Sequence, residues 1–126
     1  MKTRKITFTP EAPMGARTVK LEPVTRELRF RKYGNNRWAI EMLDEDGEHA
    51  GTASVNLPKY PLPEHCVFIK DYSENAGVLV GLLASEVVID SGIRAPSGFV
   101  KIPMCRFTDE IMKELGITPP INPSLN

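Results

Sequence analysis

Catalytic raw material is scarce in this sequence. Its 126 residues include two cysteines, two histidines, one tryptophan and a 7% aromatic share. The two thiols, Cys66 and Cys105, stand alone without a C-x-x-C partner, which fits buried structural cysteines in a reducing compartment. With His49 and His65 they make a formal zinc set. No pair has C-x₂₋₄-C or H-x₃₋₅-H spacing, and His65 beside Cys66 in a strand faces the other way. No metal and no cofactor is expected. G-x-S-x-G, G-x-x-x-x-G-K-[ST] and G-x-G-x-x-G are all missing, so neither a nucleophile elbow nor a phosphate-binding loop has support. No apolar run approaches the roughly 20 residues that span a bilayer, and MKTRKITFTPEAP has no apolar signal core. The expectation is a cytoplasmic protein with no membrane contact.

Net charge is missing too, with 16 basic residues against 16 acidic. The zero conceals a division: residues 1 to 37 hold ten basic and three acidic residues, so they carry +7 and the other 89 residues −7. Neither a uniformly basic nucleic-acid binder nor a uniformly acidic DNA mimic fits, although either half could act as one locally.

What is present suits one domain. Area scaling for 14.0 kDa predicts roughly 20,000 Å² exposed when unfolded and about 6,700 Å² when folded, enough burial for a core without staples. Prolines punctuate the chain. They suggest a basic N-terminal arm over 1–17, a single domain over 18–116 and a proline-rich tail over 117–126.

Alternating patterns over 18–24, 28–33, 37–43 and 48–57 predict an antiparallel meander. Gly34-Asn35-Asn36 and Asp44-Glu45-Asp46-Gly47 form its turns, and Pro58, Pro61 and Pro63 stiffen the following loop. Shorter strand patterns follow at 66–69, 87–89 and 99–107, with a loop expected over Gly92–Gly98. Asp71 and Glu74 have capping-box spacing ahead of Val78, Leu79, Leu82 and Leu83, so a helix is expected over about 73–85, with Gly77 and Gly81 permitting close packing on the sheet. A second helix is expected over 109–115, with Thr108 as N-cap and Gly116 at its end. The predicted class is α+β: a mainly antiparallel sheet of about five to seven strands, one packed helix and a short C-terminal helix.

Two residue groups are candidate sites. In the stretch 26–38, Arg29 and Arg31 share a strand face, Lys32 and Arg37 flank the turn, and Tyr33 and Trp38 offer rings for stacking. Such a basic-aromatic hairpin suits nucleic acid or another partner; alternatively its arginines pair with acidic neighbours. Asp71 with Glu74 is the best carboxylate pair, and a helix cap is its plainer reading. The acidic turn 44–48 is too short for a calcium loop and reads as a solvated hairpin tip.

Four segments carry a resemblance: Glu45-Asp46-Gly47 leading to Ser54-Val55-Asn56-Leu57-Pro58, Phe68-Ile69-Lys70-Asp71-Tyr72-Ser73-Glu74-Asn75, Pro96-Ser97-Gly98-Phe99-Val100, and Pro103-Met104-Cys105-Arg106. Over roughly residues 37 to 107 the chain resembles a family of small proteins, a domain of unknown function, from bacterial phages, plasmids and conjugative elements. The resemblance implies a mobile-element accessory protein in a bacterial host cell and no known reaction. Its signature forms a polar cluster of Lys70, Asp71, Tyr72, Ser73, Glu74, Asn75 and Arg106, with Arg106 placed to pair with Asp71 or Glu74. The expected function is non-enzymatic: binding to a host or element-encoded protein, including inhibition of a host defence component. The alternative is a nucleic-acid-binding accessory factor using residues 26–38.

Overall fold

The computed structural model describes residues 3–119. Its class is α+β, with nine antiparallel strands and two short α-helices among those residues. The strands are β1 (Arg4–Phe8), β2 (Glu11–Met14), β3 (Arg17–Lys20), β4 (Val24–Lys32), β5 (Trp38–Leu43), β6 (His49–Thr52), β7 (Cys66–Phe68), β8 (Val88–Ser97) and β9 (Val100–Phe107). The helices are α1 (Val78–Ala84) and α2 (Asp109–Leu115). One sheet has the order β1-β4-β5-β6, a second β7-β9-β8, and β2 with β3 forms a separate hairpin.

Three residues after β6 join the two larger sheets. The Ala53 N–H bonds the Ile40 carbonyl at 2.8 Å, the Ala53 carbonyl accepts the Lys70 N–H at 2.8 Å, and the Val55 N–H reaches the Phe68 carbonyl at 3.0 Å. The strand expected over 48–57 therefore ends its regular pairing at Thr52 and then crosses to β7. Val55 and Leu57 consequently pack on a different cluster from Ala53.

The main core lies where β1, β4, β5, β7 and β9 meet the helices, around Ile6, Ile40, Met42, Leu82, Phe107 and Met112. A smaller cluster of Phe68, Ala95 and Ile102 occupies the other face of the β7-β9-β8 sheet, roofed by Leu57, Tyr60 and Leu62 of the proline loop. Alternation in β9 accounts for both: Cys105 and Phe107 face the main core, while Ile102 and Met104 face the roof.

Four boundaries differ from expectation. Residues 4–8 are not an arm: β1 pairs with β4 from Arg4↔Leu28 to Phe8↔Val24, and Ile6 and Phe8 are buried. β1 and β2 are thus the two strands beyond the expected count. The helix begins later than residue 73, because a 3₁₀ turn at Ser73–Asn75 is broken from α1 by Gly77 at φ +101°. The expected Gly92–Gly98 loop is strand as far as Ser97, with Gly98 alone of that segment in a turn; β8 passes Ser91 and Gly92 as a bulge and then resumes pairing from Ile93↔Met104 to Ser97↔Val100. The tail does not start at 117, since Ile117 is buried and its N–H bonds the Met112 carbonyl at 2.9 Å. Pro120 and Pro123 lie outside the described residues.

Gly77 and Gly81 hold α1 against the sheet, as the sequence suggested. A Cβ at Gly77 would lie 2.9 Å from the Thr9 carbonyl oxygen, and one at Gly81 would lie 2.9 Å from that of Thr7. The second helix starts and stops where expected, with Gly116 at φ +72°. Thr108 sits at its N-cap position without capping it; the hydroxyl donates instead to the Glu86 carbonyl at 2.8 Å.

Candidate partner-binding surface

Antiparallel register sets the chemistry of the basic hairpin. Arg29 stands opposite Glu41, with Arg31 two positions along the same face. The Glu41 carboxylate accepts from Arg29 Nε at 2.6 Å and also contacts its Nη2. It further meets Arg31 Nη1 at 3.7 Å and His49 Nδ1 at 3.1 Å. Partial burial pushes the Glu41 carboxyl up, but Arg29, with His49 and Arg31, outweighs it and holds the group below the usual carboxylate range.

The remaining hairpin residues are held by the fold. Arg37 donates from Nη1 to the Leu57 carbonyl at 2.8 Å and from Nη2 to the Tyr60 carbonyl at 2.6 Å, tying the turn to the proline loop. The Tyr33 hydroxyl shares a 2.7 Å hydrogen bond with Ser54 Oγ, which accepts the Ile40 N–H at 2.9 Å. Burial raises the Tyr33 pKa against that hydrogen bond. Lys32 Nζ lies 4.8 Å from the Trp38 ring centroid, and the shielded Trp38 Nε1 has no hydrogen-bond partner. The structure thus gathers all six residues on one hairpin, yet the three arginines and Tyr33 already hold partners within the molecule.

The K-D-Y-S-E-N corner is also built inward. Asp71 Oδ1 accepts the N–H groups of Gly77 and Leu79, both at 3.0 Å, and so caps an α1 whose N-cap glycine has no side chain of its own. Glu74 takes no part in a capping box; it pairs with Lys70 at 2.6 Å, and Lys70 Nζ also lies 5.6 Å from the Tyr72 ring centroid. Buried Asn75 donates to the Thr52 carbonyl at 2.7 Å, and Ser73 opens the 3₁₀ turn at φ +54°. Arg106 is not in this cluster. Its ion pair is with Asp109 at 3.7 Å, because β9 delivers it to the start of α2.

Segments of the signature nevertheless meet. Asp71 and Tyr72 share a cleft of about 250 Å³ with Arg94, Val100, Lys101 and Pro103. Among the described residues no three His, Cys, Asp or Glu side chains converge as a metal site, and no helix is long and apolar enough to cross a membrane. Both thiols are free and buried, and burial pushes Cys66 up to about 11 and Cys105 up to about 12.

Sequence reasoning missed the apolar side chains left in solvent. α1 is apolar at every position, Val-Leu-Val-Gly-Leu-Leu-Ala, and leaves Val80 68% exposed. Along β8, Ile89 and Ile93 are exposed, and Phe99 stands entirely in solvent at the tip of the β8–β9 turn. Gly98 at φ +61° between paired Ser97 and Val100 makes this a two-residue hairpin turn. The signal was present in Ser97-Gly98-Phe99-Val100, where Gly-X joins two strand patterns.

Comparison of the chain with protein-family models, with curated proteins and with solved structures finds no match.

Proposed function

We propose that this chain is a non-enzymatic accessory protein of a phage, plasmid or conjugative element that acts by binding a protein of the host cell, with blockade of a defence component as its effect. The observation that carries this reading is a set of large apolar side chains left in solvent: Val80 and Leu83 on α1, Ile89 and Ile93 along β8, and Phe99 at the far tip of the β8–β9 hairpin. Exposed apolar surface of this kind marks contact sites, and aromatic anchors dominate binding energy at interfaces. The resemblance to mobile-element proteins supplies the setting. The charge pattern supports a protein partner over nucleic acid, since Arg29 and Arg31 converge on Glu41 and Arg37 is held by two backbone carbonyls.

The test is affinity capture of the tagged chain from a bacterial host, with the recovered protein identified and binding repeated with both proteins purified. One protein should bind the wild type and bind Phe99→Ser or Val80→Ser at least about tenfold more weakly, as loss of a buried anchor requires. Recovery of no protein above control, or binding indifferent to both substitutions, counts against it. Tight binding to DNA or RNA that weakens steeply with salt would put the nucleic-acid reading in its place.

A further inference from the structure

We propose that copies of this chain assemble head to tail, the Phe99 tip of one seating in the groove between Leu83 and Ile89 of the next. This rests on reading the α1–β8 flank as the binding surface, and it names a second copy as an occupant. The groove holds about 310 Å³ and is lined by Leu83, Glu86, Val88, Ile89, Thr108 and Glu110. Its floor is apolar and its rim acidic. Glu86, at that rim, has no ion-pair partner among the described residues, whereas Glu110 is paired with Arg4 at 2.8 Å and brings no free charge.

The tip has the opposite character. Phe99 stands clear of the molecule, and exposed Lys101, two residues on, has no ion-pair partner among the described residues. Arg94 brings no net charge, because Asp90 holds it through two hydrogen bonds of 2.8 and 2.7 Å. Nothing in the fold requires a phenyl ring here; Gly98 supplies the turn geometry and the ring buries nothing. An apolar knob beside a cation complements an apolar groove beside an acid.

The contact has to be between molecules. Ile89 and Phe99 lie at opposite ends of the β8–β9 hairpin, more than about 20 Å apart at the usual rise per residue, so a tip cannot fold back into its own groove. Two grooves face to face would oppose Glu86 to Glu86; knob into groove used one way leaves one tip and one groove free for growth, whereas reciprocal exchange of tips closes at two, and the proposal is of the first kind. An α1 apolar on every side agrees, since such helices belong beneath a covering surface.

Sedimentation velocity of the purified chain over a concentration series tests this. The wild type should pass through dimers to larger species, and Phe99→Ser should raise the midpoint concentration at least about tenfold. Lys101→Glu and Glu86→Lys should each weaken assembly about two- to fivefold, and the double variant should recover, because the reversed pair is again complementary. A mixture of Phe99→Ser with Leu83→Glu should give one-to-one dimers and nothing larger, as only one intact tip meets one intact groove; Ile89→Glu, on the same groove and exposed, replaces Leu83→Glu if the latter melts early. A wild type monomeric to about 1 mM, a wild type that stops at two, or Phe99→Ser assembling unchanged would overturn the proposal. A monomeric result leaves the capture of a host protein untouched, and a failed capture leaves assembly standing.

Discussion

Asp71 reaches eight residues forward to accept the backbone N–H of Leu79, and the same oxygen accepts that of Gly77. The carboxylate thus satisfies two donors at the start of α1. Asp71→Ala should cost about 1–2 kcal/mol in chemical denaturation, the usual scale for a lost cap. Asp71→Asn keeps an acceptor oxygen and should cost less. Loss of partner binding in Asp71→Asn at unchanged stability would give this residue a role beyond the cap.

Gly81 against Thr7 sets a second expectation. Alanine is better than glycine in a helix by about 1 kcal/mol, yet a Cβ would meet the Thr7 carbonyl oxygen at 2.9 Å, and a strand backbone cannot yield cheaply. Gly81→Ala should therefore destabilise, by about 1–3 kcal/mol in thermal or urea unfolding. Val80→Ala, on the exposed side of the same turn, should stay within about 0.5 kcal/mol of wild type.

The cations gathered on Glu41 make part of the stability pH-dependent. The folded carboxyl titrates below its ordinary value, so its contribution is present above the ordinary carboxylate pKa and is lost as pH falls through the depressed one. Urea midpoints from pH 7 to pH 3 should fall less steeply in Glu41→Gln than in the wild type. At neutral pH that substitution should cost about 1 kcal/mol, the upper range for a networked pair near the surface.

Raised thiol pKa values predict protection and an alkaline limit. With Cys66 near 11 and Cys105 near 12, alkylation of native protein at pH 8 should be slow and should accelerate only on unfolding, as mass spectrometry of iodoacetamide-treated samples would show. Each group is raised above its ordinary 9.0, so the stability it contributes is complete below that pH and declines as pH rises through the folded values. Unfolding midpoints should drop between about pH 9 and 11.

Features encoded by neighbouring residues were legible in the sequence. Helix 109–115 matches α2 because acids in its first turn and Gly116 after its last are local signals. The hairpin of β4 and β5 follows from strict alternation around a turn that needs the positive φ of Asn36. β1 was hidden because Ile6 and Phe8 stand among Lys2, Arg4 and Lys5, and charge masked a two-residue apolar pattern. The second half of β8 was hidden because Gly92, Pro96 and Gly98 read as loop residues. A bulge absorbs the first, an edge strand tolerates the second, and the third is the hairpin turn. Charge alone could not choose between an open basic face and an internally paired one; the choice depends on Glu41 lying opposite Arg29, a matter of register.

Ala53 to Val55 give the molecule its unity under stress. This short crossing bonds to Ile40 on one side and to Phe68 and Lys70 on the other, so neither large sheet has an independent border there. Opening one strips backbone partners from the other, and the pair should behave as a single foldon. In native-state hydrogen exchange, the amides of Ala53 and Lys70 would open only with global unfolding, so this three-residue passage reports the stability of the whole chain.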